Sequence, residues 1–563
     1  MQNLSEVEHI KINSDYLRGT LEQSLENQIT GALYPQDTQL IKFHGAYQQT
    51  DRDIDAERKA QKLEPLYSLM IRIRVPGGVA TPAQWLRMDE LADKYGNGTL
   101  KLTTRQAFQL HGIRKRHLKA TIRGFNEVFL DSIAGCGDVN RNVMCTPNPE
   151  QSSVHEAVWA LSRQLSDAFT PKTTAYYDIW LDGESVDESQ PFSKHKKDGK
   201  DEEPIYGKTY LPRKFKIALA VPPYNDTDIF ANDIGLIAIE ENGVLKGFNV
   251  AAGGGLGMTF GMPETYPRLA DILGFVPTEQ VQNVCEAIIT TQRDNGNREN
   301  RKLSRLKYTI DRMGLEAFKA EVERRAGLSF AAPLPYQFAH SSDQYGWTPT
   351  ADGRFHFTLF VEGGRIADTP ELPLRTALRA VASIHDGDFR LTGNQNLIIG
   401  NIPASKRLAI EALLEKFGIL EHTFKISGLR QNSLACVALN TCSQAFAEAE
   451  RYLPSLLDKL ETLLRGYGLE NAAINIRMTG CPNGCARPYL GEIGLVGKSP
   501  GYYNLYLGAA HNGERLNRLY REMLDEAAII RELAPIFEDY ARNRQKGESF
   551  GDFVWRNGFV LKN

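Results

Sequence analysis

Four cysteines toward the end of the chain form two close pairs about forty residues apart, Cys436 and Cys442 in CVALNTC and Cys481 and Cys485 in TGCPNGC. Four soft, deprotonated sulfur donors in two short segments are what a 4Fe-4S cluster requires. Pro482 fixes one backbone angle and Gly484 frees another, so the second loop can fold tightly and let a bulky group approach its backbone. A structural zinc site would also take four thiolates. Zinc motifs open with shorter gaps, however, and the five residues between Cys436 and Cys442 fit them poorly. Seven cysteines in 563 residues form an odd, sparse set that does not suggest a disulfide framework. Cys136, Cys145 and Cys285 lack partners at ligand spacing and read as small buried hydrophobes.

The elements that must position such a group carry cations. In LMIRIRVPGG, period-two alternation sets Ile71, Ile73 and Val75 on one face and Arg72 and Arg74 on the other. In LPRKFKIALAV, Lys214 and Lys216 share the face opposite Phe215, Ile217 and Leu219. Read as one strand, KLTTRQAFQLHG puts Thr103, Arg105, Gln109 and His111 on one side. Each strand alone is consistent with a half-solvated face; together they suggest a wall built for an anion. A further cationic stretch, TTQRDNGNRENRKLSRLKY, holds Arg293, Arg298, Arg301, Lys302, Arg305 and Lys307. It suits either a polyanionic ligand or a solvated helix face.

The chain also repeats itself. Strand, Gly-Gly and helix recur at a separation of 286 residues (Gly77 to Gly363), and the strands that follow recur at 289 (Leu102 to Leu391). This is the mark of a duplication, and two such halves can pack with pseudo-two-fold symmetry around a shared site. The expected class is α+β throughout.

Composition sets further bounds. With 42% apolar and 24% charged residues the chain reads as ordinary globular material of three or four domains. A net charge of -3 argues against a general nucleic-acid binder. The polar N-terminus and the lack of any long apolar run lead us to expect a soluble cytoplasmic protein with no membrane contact. GGGLG at Gly253 to Gly257 lacks the arrangement of a dinucleotide-binding loop, so nicotinamide and flavin should reside elsewhere.

In order, FHGAYQQTDRD, RIRVPGG, LTTRQAFQLHG, VNRNVMC, TYLPRKFK, TTQRDNGNR, LTGNQNLI, CVALNTC and TGCPNGC span nearly the whole chain. Through them the sequence resembles the nitrite/sulfite reductase family, and within it the haemoprotein subunits served by an NADPH-dependent flavoprotein. The resemblance implies a sirohaem beside one 4Fe-4S cluster. The cluster would be ligated by Cys436, Cys442, Cys481 and Cys485, with the Cys485 sulfur bridging cluster and haem iron. Sirohaem carries eight carboxylates, which gives the arginine-rich strands a reason.

The same resemblance places Arg72, Arg141, Lys214 and Lys216 around the substrate face as catalytic cations. It places Arg105, Gln109, His111 and Arg213 against the macrocycle or its carboxylates. The reaction it implies is six-electron reduction of sulfite to sulfide for cysteine biosynthesis, with NADPH and flavins held only by the partner. Nitrite reductases of the family tend to carry asparagine where this chain has Lys216, which favours sulfite. A ferredoxin-dependent sulfite or nitrite reductase is the alternative within the family, and an iron-sulfur electron-carrier module the alternative outside enzymes.

The resemblance divides the chain into five parts. Residues 1–65 form an arm that could dock the flavoprotein, and 66–145 and 346–425 are ferredoxin-like half-domains. Residues 146–345 form a first sirohaem-binding α+β domain, and 426–563 bind the cluster and sirohaem. The charged segment 183–204 reads as a surface loop or as a lid over the Lys214 strand.

Overall fold

The computed structural model describes residues 3–182 and 203–561, so all but the last two residues of the charged segment 183–204 lie outside the described residues. Four sheets and the helices packed on them make up an α+β architecture. The first half contributes β1 (Ala46–Gln49), β2 (Ser68–Ile73), β3 (Val79–Ala80), β4 (Leu100–Leu102) and β5 (Phe108–Ile113). A central unit follows with β6 (Ile217–Ala220), β7 (Ile234–Glu241), β8 (Val244–Ala252) and β9 (Asp271–Pro277). The second half repeats the first with β10 (Gly346–Pro349), β11 (Phe355–Leu359), β12 (Arg365–Ile366), β13 (Asp388–Leu391) and β14 (Leu397–Ile402). The chain closes with β15 (Ser433–Ala435), β16 (Ile476–Thr479), β17 (Ile493–Ser499), β18 (Tyr502–Leu507) and β19 (Arg518–Leu524).

The two repeated halves exchange strands. One sheet runs β1-β2-β5-β4-β12 and the other β10-β11-β14-β13-β3, so each half lends the strand after its Gly-Gly to its counterpart's edge. This exchange explains the paired glycines. Gly78 (φ +78°) and Gly364 (φ +73°) lie against the ends of the opposite hairpins. A Cβ at Gly78 would come within 2.6 Å of the Leu391 carbonyl, and one at Gly364 within 2.4 Å of that of Leu102. The helix Pro82–Lys94 begins with a capping box between Thr81 and Gln84 and with proline in its first turn. It packs against the second half, where Trp85 stacks on Phe389 at 4.7 Å and Arg375 Nε donates to Asp89 Oδ1 at 2.5 Å. The halves therefore share one core.

A second repeat went unread in the sequence. In the central unit β6 pairs with β7 in parallel and β7, β8 and β9 follow antiparallel; β16 to β19 repeat that order. Ile234 and Ile493 open the equivalent strands β7 and β17, 259 residues apart. The same interval relates Asp228 to Arg487, both left-handed (φ +47° and +55°) just before those strands.

Three expectations need correction. KLTTRQAFQLHG is a hairpin, β4 and β5 joined by Thr103–Ala107, with Arg105 at its tip. LTGNQNLIIGNI is likewise the β13–β14 hairpin. The cationic stretch 293–307 is largely consumed by the protein's own acids: Arg298 pairs with Glu8, Arg301 with Asp138 and Arg305 with Asp233. Among the described residues no helix is long and apolar enough to cross a membrane.

Candidate functional site

The cysteine loops follow the parallel strands β15 and β16 and so leave the same end of their sheet. Gly480 N–H donates to Cys436 Sγ at 3.4 Å and Asn483 Nδ2 to Cys481 Sγ at 3.5 Å. Gly484 takes φ +65°, the tight turn anticipated for it. Burial, then the charge of Cys485, pushes the Cys481 thiol up to about 12 and raises Cys436 and Cys442 as well. The four sulfurs are thus close enough to oppose one another's ionisation, and together as thiolates they require a cation among them. No three His, Cys, Asp or Glu side chains among the described residues are grouped as ligands of a single metal ion. Four cysteine sulfurs are the usual donor set of a 4Fe-4S cluster.

Arg52, in the expected N-terminal arm, clasps the first cysteine loop. It donates to the carbonyls of Cys442 at 3.1 Å and Ala445 at 2.7 Å, while Asp51 accepts from Asn440 at 2.7 Å.

Cys485 is the exposed member of the set. Its carbonyl accepts from Thr104 Oγ1 at 3.1 Å, and Arg487 Nη1 donates to the Thr104 carbonyl at 2.7 Å. The β4–β5 hairpin tip is thereby fastened to the TGCPNGC loop, which brings Arg105 to the cysteines. That tip has no glycine or proline. It is built on Gln106 at φ +50°, whose amide exchanges hydrogen bonds with Cys145 N and O at 3.1 and 2.8 Å. Asn142 holds Val75, Arg105 and Gln106 together through their backbones.

VNRNVMC runs beside the lead-in to β6. Arg141 N–H donates to the Phe215 carbonyl at 3.0 Å, and Phe215 N–H to that of Val139 at 3.0 Å. This pairing gathers Arg141, Lys214 and Lys216, although the lysines precede the strand and do not lie within it. Arg72 faces the same region from β2. With the Gln109 amide turned so that its oxygen meets the guanidinium, Gln109 accepts from Arg72 Nη2 at 2.6 Å and Nε at 3.1 Å. Its nitrogen then faces His111 Nε2 at 3.3 Å. Arg74 instead forms a buried pair with Asp131, Nη2 to Oδ2 at 2.7 Å, and serves the fold.

The electrostatics of this region are unbalanced. Among the described residues Arg213, Lys214 and Lys216 have no carboxylate partner. Burial, then the Arg213, Arg305 and Arg141 guanidinium groups, brings Lys214 down to about 7; burial and Arg105 hold Lys216 well below the usual lysine range. Arg213 falls to about 10 and Arg105 to about 9 for the same reasons. Among the described residues Arg105 Nε, Arg305 Nε and His111 Nδ1 are buried without a hydrogen-bond partner. Such a surplus of buried positive charge and orphaned donors fits a large polyanionic group. Sirohaem, with its eight carboxylates, matches that description.

Several contributors had no strong signal in the sequence. Arg477 and Arg487 both grip the buried Asp228, Arg477 Nη1 to Oδ2 at 2.5 Å, which ties the central and C-terminal units together. Tyr47 partners Arg141, and Lys101 bonds to Glu450 at 2.6 Å beside the Cys436 loop. The ARP and TDI turns that carry Arg487 and Asp228 could have been found by aligning the chain with itself at 259 residues.

Comparison with known proteins agrees with this geometry. A family model described as nitrite and sulphite reductase 4Fe-4S domain matches residues 161–330, and one described as nitrite/sulfite reductase ferredoxin-like half domain matches 62–128 and 348–417. The chain is 56% identical to the sulfite reductase (NADPH) hemoprotein beta-component of Anoxybacillus flavithermus, over 99% of this chain and 96% of that protein. It is 57% identical, with the same coverage, to the protein of the same name from Geobacillus kaustophilus. The solved structure of Mycobacterium tuberculosis NirA superposes with a TM-score of 0.77 at 22% identity, covering 99% of this chain and 97% of that one, which is a likeness of fold. With identity of this extent and both half-domains matched, the chain belongs to the nitrite and sulfite reductase family.

Proposed function

We propose that this chain reduces sulfite to sulfide in the cytoplasm for cysteine biosynthesis, with electrons from an NADPH-oxidising flavoprotein subunit. The observation that carries the reading is the meeting of four cysteines with a group of cations that lack carboxylate partners among the described residues. Cys436, Cys442, Cys481 and Cys485 would hold a 4Fe-4S cluster, with Cys485 also reaching the iron of a sirohaem gripped by Arg105, Gln109, His111 and Arg213. When bound, these groups supply an iron site for the oxyanion's sulfur and a route for single electrons.

The chain's own residues do the rest. Arg72 and Arg141 present guanidinium forks suited to the oxygens of a small oxyanion, and Lys214 and Lys216 add point charges. Charge-assisted bonds from preorganised donors favour the charge that builds on each departing oxygen. Each of the three oxygens leaves as water, so protons must arrive at the substrate six times per turnover. Lys214, poised near neutrality, can give a proton from Nζ and be recharged from solvent. Gln109 holds the Arg72 fork in place, and Tyr47 does the same for Arg141.

The experiment is an absorption spectrum of the purified chain, followed by sulfite and a chemically reduced viologen dye. A macrocycle band with sulfide release is the expected result. A cluster spectrum without a macrocycle, or no sulfide, would overturn the reading.

A further inference from the structure

Two exposed aromatic rings meet outside the cysteine loops. Phe260 is 53% exposed and Phe446 37%, and their centroids lie 5.2 Å apart. Lys498 Nζ sits 4.8 Å from the centre of the Phe260 ring. Apolar rings left in water at fixed positions cost solvation energy, and contiguous ones mark contact surfaces.

Their anchorage is to the cysteine-bearing backbone. Phe446 lies four residues after Cys442, and its N–H donates to the carbonyl of Gly480, next to Cys481, at 2.8 Å. Phe260 stands on the glycine-rich loop, whose Met258 N–H donates to the Pro482 carbonyl at 2.9 Å. A Cβ at Gly257 would lie 3.2 Å from the Asn483 carbonyl, so this loop lies against the second cysteine loop. Lys307 pins the loop from behind through the carbonyls of Gly255 and Gly257, each at 3.0 Å. The aromatic pair is therefore the outer skin of the four-cysteine centre.

The charge around it is positive and unmatched. Among the described residues neither Lys498 nor Arg52 has a carboxylate partner, and Arg52 spends its hydrogen bonds on the Cys442 and Ala445 carbonyls. Glu448, in the same loop as Phe446, is paired with Arg451. A surface of aromatic rings rimmed by cations that have no carboxylate partner among the described residues fits a partner with an acidic rim around an apolar centre.

Resting on the function proposed above, we propose that Phe260 and Phe446, flanked by Lys498 and Arg52, form the landing for the acidic flavin-bearing face of the electron-donating subunit. Electron transfer falls off steeply with distance, and a flavin docked on this patch would lie against the two loops that carry the four cysteines. A donor that must leave after each delivery suits a small contact of this kind.

The test uses the holoenzyme with its flavoprotein and compares two donors. For Phe260→Ala/Phe446→Ala, NADPH-driven sulfide formation at limiting flavoprotein should fall about tenfold, as for loss of a central aromatic anchor. Viologen-driven formation should stay within about twofold, since a small dye needs no docking surface. Lys498→Glu, a change at a half-exposed side chain, should lower the NADPH-driven rate and flatten its dependence on ionic strength. NADPH-driven rates within about twofold of wild type in both variants would overturn the proposal. If the double variant also lowers the viologen-driven rate, Lys498→Glu decides, and a parallel fall of both rates there would overturn it too. A wild-type complex that releases sulfide with viologen but not with NADPH would instead count against the flavoprotein reading itself.

Discussion

Replacing Lys214 with methionine keeps the length of the side chain and removes its charge and its proton. Among the described residues Lys214 has no carboxylate to leave behind, so the change unburdens the free site while taking a donor from the bound oxyanion. Two unit charges about 4 Å apart attract by about 4 kcal/mol at an effective dielectric of 20. Desolvation takes back part of this, and a charge-assisted hydrogen bond nets about 1.5–3 kcal/mol. At the upper end that is about a hundredfold in kcat/KM for sulfite. The pH profile separates charge from proton transfer. Lys214 lies near 7 because burial and three guanidinium groups oppose its charge. An acid acting from Nζ is available below its pKa and lost as pH rises through it, by about one decade per unit. Bound carboxylates and sulfite raise the value, so the limb in the holoenzyme lies at or above 7. Sulfite itself changes ionisation near neutrality, so the comparison with Lys214→Met is what matters. Steady-state assays from pH 6 to 10 should show the limb in wild type and its loss in the variant. A variant with wild-type kcat/KM and an unchanged limb would refute the role.

Lys216→Asn removes one charge from the same group of cations. It should lower kcat/KM for sulfite by about ten- to a hundredfold, with nitrite reduction changed less than about threefold in parallel viologen assays. Glu450 is held near 2 by Lys101 and Arg365 against burial, below its ordinary 4.5. Its contribution is present above pH 4.5 and fades as pH falls toward 2, so Glu450→Gln should cost about 3 kcal/mol at pH 6 by denaturant unfolding, and less at pH 4. Asp228→Ala would leave Arg477 and Arg487 as buried, uncompensated cations. A loss of about 3–5 kcal/mol and a clearly lower Tm are expected, and Asp228→Asn should fall in between.

The parts of the molecule legible in the sequence were those set by local spacing. The cysteine pairs, each Gly-Gly turn and the α+β class follow from residues within a few positions of one another, and the repeat from matching those local patterns along the chain. The hairpin tip at Arg105 was misread because alternation continues across it and Gln106, with no glycine or proline nearby, supplies the turn. Cations such as Arg298 and Arg301 looked available for a ligand because their acids, Glu8 and Asp138, lie 290 and 163 residues away. Gathering Arg72, Arg141 and Lys214 at one place depends on β2, an irregular segment and the approach to β6, and no local pattern encodes that meeting. Strands of two residues, such as β3 and β12, fall below any periodicity.

Those two short strands have a consequence for how the molecule comes apart. Because β3 completes the second sheet and β12 the first, neither half can detach without opening an edge in both. The duplicated halves should therefore melt as one calorimetric unit even though each carries a full set of its own strands. A chain cut between them should regain its structure only when both fragments are present. Such reciprocity is what two copies of an ancestral chain would have shown as a strand-exchanged dimer, before one polypeptide came to hold both.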